Sequence, residues 1–437
     1  MRKMKVGVVA DDVTGANDIG VCFKNGGYKS AVFPLELIKK RNMKEEAKGL
    51  NVIIIDTDSR FDTPEVAAKK VKEATEILLE ISCDRYFNKT CSVFRGNIGA
   101  EFDSMQRTLL ETSSMVVLGF PQNGRTTLEG IHYVYGTKLE DSQFRNDPIH
   151  PMTISYLPNI IQKQSAGKVG LITFHDLDNG LDHVKRKKEE LKKECAYILF
   201  DIRNQEDLRL VADAVAEERN ICGSSAIGEF LPKASQNLYT EVCSKKRCNE
   251  DKVFLVAGSL TTQSKAQTEH ICSLGWKVRS FDSQSIFDES TQKKEENRLI
   301  EELTEAVEEN GIAMLCSEQD IQSVESAKEL GRSRFLSWEE VGKRISGSLS
   351  YIAEKVMENT DCRNLVVAGG DTSAAVTRQL EIYRMEVGHE IEPGVPIMKG
   401  KCKLGELNLV LKSGSFGSET FLEKAAKETI EYGGSYD

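Results

Sequence analysis

Short apolar runs alternate with longer helix-forming stretches along nearly the whole chain, and that alternation limits the fold more than any single motif does. The runs at 5–10, 28–34, 51–56, 85–91, 115–120, 168–174 and 196–202 read as strands, several of them apolar throughout, as strands buried on both faces are. Between them, 63–82 opens with Thr63 at an N-cap, Pro64 at the first helical position and Glu65 in the first turn. A mildly helical stretch follows Ala16 to Gly26-Gly27, and residues 99–112, 181–194 and 205–219 also read as helices. The pattern breaks at 232–250, which is polar and without apolar period, and then restarts. Strands are expected at 253–259, 277–282, 312–316, 365–368 and 407–412, and helices at 263–274, 294–309, 338–357, 373–380 and 419–432. Alternating strands and helices imply parallel sheets. The expected class is α/β: two domains, each a mainly parallel β-sheet flanked by helices, over residues 1–235 and 250–437.

Composition removes several functions. With 40% hydrophobic residues, 17 Phe and 11 Tyr in 437 residues, there is material for real cores, which excludes a disordered chain. No run approaches the roughly 20 apolar residues of a membrane span. The apolar run at 6–10 is shorter than a signal-peptide core of about 7–15 residues. A cytoplasmic protein without a membrane partner is expected. The eleven cysteines are odd in number and form no CxxC pair, unlike a disulfide framework or a zinc site. A net charge of −10 argues against nucleic acid, whose phosphates select basic surfaces. Local Lys and Arg can still build a site for a small anion. The six histidines fall into no HxxxH pattern.

In open parallel sheets ligands bind beyond the carboxyl ends of the strands. There the two halves differ. The first half places Asp11-Asp12, Asp56-Thr57-Asp58-Ser59-Arg60, Lys89 through Arg95-Gly96-Asn97 and Pro121 to Arg125 after its strands. Arg offers a fork for a carboxylate, Lys a point charge, and Asp an acceptor for sugar hydroxyls or for a proton. Arg60, Lys89, Arg95 and Arg125 are the cationic candidates. The second half places Gly258-Ser259-Leu260-Thr261, Gly369-Gly370-Asp371-Thr372 and Ser413-Gly414-Ser415-Phe416-Gly417 there. Glycine lets backbone N–H groups approach an anion, and hydroxyls add donors. Standard nucleotide motifs are missing. No GxGxxG follows a strand, and the spacing from Gly394 to Gly400-Lys401 is one residue too long for a P-loop, with Cys402 where Ser or Thr should stand. The absence of HRD and DFG excludes a protein kinase.

Taken in order, the motifs resemble the four-carbon acid sugar kinases. The resemblance spans nearly the whole chain and rests on ADDVTGANDIG (10–20), DTDSR (56–60), FRGNIGAEF (94–102), PQNGRTTLEGIHYVYG (121–136), RNDPIHPM (145–152), VAGSLTTQ (256–263), VVAGGDTSAAV (366–376), PGVP (393–396) and KSGSFG (412–417). It implies an ATP- and Mg²⁺-dependent enzyme that phosphorylates threonate, erythronate or 3-oxo-tetronate at a terminal hydroxyl, with the acid sugar on the first domain and ATP on the second. It implies that Asp12, Arg60 and the Lys89–Arg95 segment, with Ser92, meet the sugar; the strand-end reading adds Asp11 and Arg125 as substrate contacts and takes Asp12 as base or hydroxyl-orienting group. Ser259, Gly369, Gly370, Asp371, Thr372 and Gly414 are implied to meet ATP. The metal ligands stay unassigned, and a homodimer is compatible with the sequence.

One departure bears on the substrate. Where the family usually reads Lys-Ile/Val-Asp-Ser-Thr-Leu-Arg-Gly-Asn, this chain has Cys91 for the Asp and Val93 for the Thr. An unpaired substrate hydroxyl would cost about 1–3 kcal/mol. A kinase for another small hydroxy acid, or a non-catalytic sensor of nucleotide or acid sugar, is therefore carried as the alternative.

Overall fold

The first apolar run is a strand, Val6–Ala10 (β1), buried at all five positions. In the computed structural model, which describes residues 4–147, 149–234 and 252–433, it opens the first of two units, Met1–Thr240 and Glu241–Asp437. The polar segment expected to separate the domains, 232–250, lies mostly outside the described residues, as do Cys243 and Cys248.

The first unit continues with Ser30–Pro34 (β2), Val52–Asp56 (β3), Arg85–Lys89 (β4), Ser114–Val117 (β5), Arg125–Leu128 (β6), Ile131–Val134 (β7), Thr137–Lys138 (β8), Val169–Ile172 (β9), Tyr197–Phe200 (β10) and Asn220–Gly223 (β11). Its main sheet runs β2-β3-β1-β4-β11-β5-β10-β9. Every pairing within it is parallel, and Asp56, Ala10, Lys89 and Gly223 share one transverse row at the carboxyl end. Val9, Phe33, Ile55, Leu78 and Tyr86 belong to one apolar cluster, and Val93, Phe102, Val116, Tyr197 and Leu199 to another. Helix Pro64–Glu80 begins as expected, with the Thr63 hydroxyl accepting from the Val66 N–H.

Two features of this unit escape the strand–helix rhythm. A small antiparallel sheet, β6-β7-β8, is folded by two-residue turns at Glu129-Gly130 and Tyr135-Gly136. All four residues have positive φ, from 50° to 80°. Such turns match the twist of hairpins but are usually announced by Asn-Gly or Asp-Gly, and Glu-Gly and Tyr-Gly send a weaker signal. The other is β11, whose four residues are too few to show a period.

The second unit contains Val253–Ala257 (β12), Lys277–Phe281 (β13), Ile312–Ser317 (β14), Asn364–Ala368 (β15), Arg384–Glu392 (β16), Val395–Cys402 (β17) and Gly405–Lys412 (β18), ordered β13-β14-β12-β15-β18-β17-β16. The sheet is parallel through β18, and then β17 and β16 add an antiparallel meander. Its first four strands thus repeat the order of β2-β3-β1-β4. Helix Glu289–Asn310 starts five residues before the expected 294, because the Asp288 carboxylate caps the N–H groups of Ser290 and Thr291. Helix Gly370–Gln379 starts three residues before the expected 373, so Gly370-Asp371-Thr372 is its first turn rather than a free loop. Lys401 and the Gly400 before it lie inside β17, which leaves no phosphate loop there. Every cysteine among the described residues is free, and no helix among them is long and apolar enough to cross a membrane.

Gly223 closes β11 at φ +134°, and a Cβ there would lie 2.0 Å from the Val117 carbonyl oxygen. Gly223→Ala is expected to destabilise the first unit by about 3 kcal/mol, read as a lower urea midpoint at unchanged slope.

Candidate active site

Because β1 ends at Ala10, Asp11 and Asp12 emerge together at the carboxyl edge of the first sheet. Asp12 is extended (φ −151°, ψ 159°) and caps helix Val13–Asn25. Its carboxylate accepts from the Gly15 N–H at 2.7 Å and from the Thr14 hydroxyl at 3.0 Å. Arg60 arrives from the loop after β3. Its Nε and Nη2 donate to the two oxygens of Asp11, each at 2.8 Å, and its Nη1 donates to Asp12. Lys89 ends β4 and is buried, with Nζ donating to the Thr90 carbonyl at 3.0 Å. A Cβ at Gly15 would fall 2.9 Å from Lys89 Nζ and 2.6 Å from Asp12 Oδ1, so cation and carboxylate converge over a position that has room only for glycine.

The electrostatics separate the acids. Burial pushes the Asp12 carboxyl up, but Arg60 and Lys89 outweigh it and hold the group below the usual carboxylate range. Asp56 goes the other way: burial, reinforced by Asp58, Asp12 and Asp11, raises it well above that range. The same edge thus holds one carboxyl drawn down by its cations and one pushed up by burial and like charge.

A second layer forms the rim. Phe94 and Gly96, at φ +59° and +99°, turn the chain after β4 over Arg60. A Cβ on Gly96 would lie 3.3 Å from Arg60 Cγ. Arg95 donates from Nε to Cys91 Sγ at 3.4 Å and from Nη1 to Asp147 at 2.8 Å. Burial raises the Cys91 thiol, but Arg95 and Arg60 draw it below its usual range. His150, whose Nε2 lies 3.1 Å from the Arg60 carbonyl, stacks on Phe61. Arg95 and Arg125 both face the Phe144 ring, with Arg125 also 5.1 Å from Tyr135. Arg125 donates to the Asn123 carbonyl, so it joins the cluster through an aromatic ring and not through the acids. Ser92 is half-buried beside Cys91.

In the second unit the carboxyl edge is built from small residues. A Cβ on Gly258 would lie 2.1 Å from Thr372 Oγ1, and one on Gly414 would lie 2.0 Å from Ser259 Oγ. Gly369, at φ +126°, faces both Thr372 and the Ser259 N–H. The Gly414 carbonyl accepts from Thr261 Oγ1 at 2.7 Å and from Ser264 Oγ at 3.0 Å, and Gln319 Nε2 donates to the Ser259 carbonyl at 3.0 Å. Ser259, Gly369, Thr372 and Gly414 thus meet in one place, while Gly370 and Asp371 are exposed on the first helical turn. Beneath them Lys412, almost wholly buried, lends Nζ to the carbonyls of Ser413, Gly414 and Phe416 at 3.1, 3.4 and 3.1 Å. Burial lowers its pKa to about 7.

Asp56, Asp147 and Lys412 stand in segments singled out from the sequence but received no role of their own there, and Gln319 was not singled out at all. Asp56 and Lys412 stand at the ends of expected strands, where a residue reads equally as strand or site. Asp147 and Gln319 belong to loops with no period.

Two family models match the chain in tandem, a sugar-binding N-terminal domain over residues 6–231 and a nucleotide-binding C-terminal domain over 254–422. A 3-oxo-tetronate kinase of Pectobacterium atrosepticum is 26% identical over 97% of this chain and 99% of its own length. A D-erythronate kinase of Heliobacterium modesticaldum is 28% identical over 88% of each. The chain belongs to the four-carbon acid sugar kinase family. The crystal structure of a Salmonella typhimurium LT2 protein described as a tRNA synthase superposes with a TM-score of 0.83 over 97% of this chain and 99% of that one; at 24% identity it bears on the fold alone.

Arg60→Ala would leave Asp11 and Asp12 sharing one edge without their fork. A loss of about 3–5 kcal/mol in unfolding free energy is expected, measured by urea titration at pH 7. Asp12, held below its usual range, contributes stability that is present above about pH 4 and is lost as pH falls further. Asp12→Asn is expected to flatten that acid limb in a melting series from pH 2 to pH 6.

Proposed function

We propose that the protein is an ATP-dependent kinase that phosphorylates the terminal hydroxyl of a four-carbon acid sugar: threonate, erythronate or a 3-oxo-tetronate. The observation that carries the reading is the division of chemistry between the two carboxyl edges. One gathers Asp11, Asp12, Arg60 and Lys89; the other gathers Ser259, Gly369, Thr372 and Gly414. Cations and carboxylates suit a hydroxy acid, and a glycine cradle at a helix start suits phosphates.

In this reading Lys89 and Arg60 attract the sugar's carboxylate end, with Arg95 and Arg125 on the rim. Asp12 accepts a hydrogen bond from the attacking hydroxyl. Its depressed pKa makes it an orienting group more than a proton store, which suits phosphoryl transfer, where positioning and charge stabilisation supply most of the rate. Gly369, Gly370 and Gly414 let backbone N–H groups approach the phosphates, and Ser259 and Thr372 add hydroxyl donors.

Mg²⁺ fits the same residues. Among the described residues, no three His, Cys, Asp or Glu side chains converge to hold a metal alone. Mg²⁺ keeps several waters and is held largely by phosphate oxygens with one or two protein ligands. Asp371 and Thr372 would hold it, and its charge would offset that of the transferring phosphoryl group.

A second acceptor class is favoured by one observation. Cys91 occupies Arg95 Nε, so the rim offers a thiol where a carboxylate is usual in the family. Another small hydroxy acid of similar size would suit that pocket.

A coupled ATP-consumption assay with Mg²⁺ tests the reading, with D- and L-threonate, D- and L-erythronate and 3-oxo-tetronates beside five- and six-carbon acids. Turnover with one four-carbon acid is expected. Asp12→Asn should cost at least about 100-fold in kcat. Gly414→Ala should raise KM for ATP and spare that for the acid. Ligand-induced thermal shifts without turnover on any acceptor would replace the kinase with a sensor.

A further inference from the structure

A buried chain of oxygens runs behind the charged edge of the first unit. Glu101 Oε1 lies 2.8 Å from Ser59 Oγ, Ser59 Oγ lies 2.8 Å from Thr57 Oγ1, and Thr57 Oγ1 lies 2.9 Å from the Ala10 carbonyl oxygen. Thr57, Ser59 and Glu101 are all at most 2% exposed. Each contact needs one hydrogen between its oxygens. The carbonyl can only accept, and so can an ionised carboxylate. The two hydroxyls bring two hydrogens to three contacts. With Glu101 ionised, one contact is left as two bare oxygens within 3 Å in the protein interior. With Glu101 protonated, the count closes: Glu101 donates to Ser59, Ser59 to Thr57, and Thr57 to Ala10.

The chain leads to Arg60. Ser59 and Arg60 both donate backbone N–H groups to the Asp11 carbonyl, at 3.0 and 3.2 Å, and Asn97 Nδ2 donates to the Ser59 carbonyl at 3.3 Å. The Thr57–Arg60 segment is thus held at its hydroxyls by Glu101 and at its backbone by Asp11. We propose that Glu101 is a positioning residue that works as a neutral carboxylic acid, its own proton completing the chain that seats Arg60 on Asp11 and Asp12.

The charged groups facing Glu101 pull in both directions. Asp11, from the loop after β1, and Asp62, from the loop after β3, oppose its ionisation; Arg60 favours it, as does its place in the first turn of helix Ile98–Leu109. Burial outweighs both and raises its pKa to about 8.

The seating of Arg60 matters to catalysis only under the kinase reading above, whereas the protonation itself does not depend on that reading. Two measurements separate them. The first uses stability without substrate. A carboxyl whose pKa is raised on folding favours the folded state at low pH, and that advantage is lost as pH rises from about 4.5 to about 8. Glutamine keeps the donor and cannot ionise. The folding constant of Glu101→Gln relative to wild type should therefore climb about tenfold per pH unit between pH 5 and 8 and level off above. A ratio that stays constant across that range overturns the proposal. The second uses kcat/KM for the acid substrate. Wild type should show an alkaline limb near pH 8 that Glu101→Gln lacks; a limb shared by both overturns the positioning role. Thr57→Val provides a check that leaves Glu101 in place. It frees the Ser59 proton for the carboxylate, so the limb should move down by about one pH unit. An unmoved midpoint counts against the chain.

Discussion

One guanidinium on two adjacent carboxylates is the interaction on which the first unit's active edge depends. Asp11 and Asp12 leave the same strand end, and Arg60 reaches both. Two unit charges about 4 Å apart repel by roughly 4 kcal/mol at an effective dielectric constant of 20, so the pair is tolerable only with that fork in place. Other features follow from it. Gly96 is glycine because the returning chain passes over the Arg60 stem, and His150 docks on the Arg60 carbonyl. Asp56, buried beside Asp58, Asp12 and Asp11, is pushed the other way.

The second unit meets the same geometric problem with other chemistry. Its first four strands have the same order, and its loops leave the same edge. There the contacts are glycine against hydroxyl: Gly258 on Thr372, Gly414 on Ser259. A small-residue surface lets a ligand come close to the main chain, and a buried lysine beneath it holds the loop through three carbonyls. The first edge offers formal charge to a ligand, the second offers dipoles. A small hydroxy acid and a polyphosphate differ in the same way.

Much of this was legible in the chain. The strands at the centre of each sheet are continuous apolar runs such as VIIID and VFLVA, which only a doubly covered sheet accommodates. The residues at their carboxyl ends were visible for the same reason. The elements that stayed hidden lack such a signal. β16 alternates buried and half-buried residues, a pattern easily lost in a loop, and β6 to β8 turn on Glu-Gly and Tyr-Gly. Side-chain partnerships were less readable still. Asp147 reaches Arg95 across 52 residues, and Ser59 reaches Glu101 across 42, distances over which spacing carries no information. Arg125 could be named from its position after a strand, but its attachment through Phe144 could not.

The strand orders also bear on how the chain acquires its fold. In each unit the last strand in sequence lies inside the sheet: β11 between β4 and β5, and β18 between β15 and β17. Neither sheet can be completed by adding strands at an edge as they leave the ribosome. Until Asn220–Gly223 has been synthesised, the edges of β4 and β5 that pair with it lack their partner. Parallel pairing over such separations is slow, because loop closure is met before contacts reward it. Growth of the chain and closure of its central seam are thereby coupled, and a truncation that removes only four residues at the end of the first unit's sheet would open its middle.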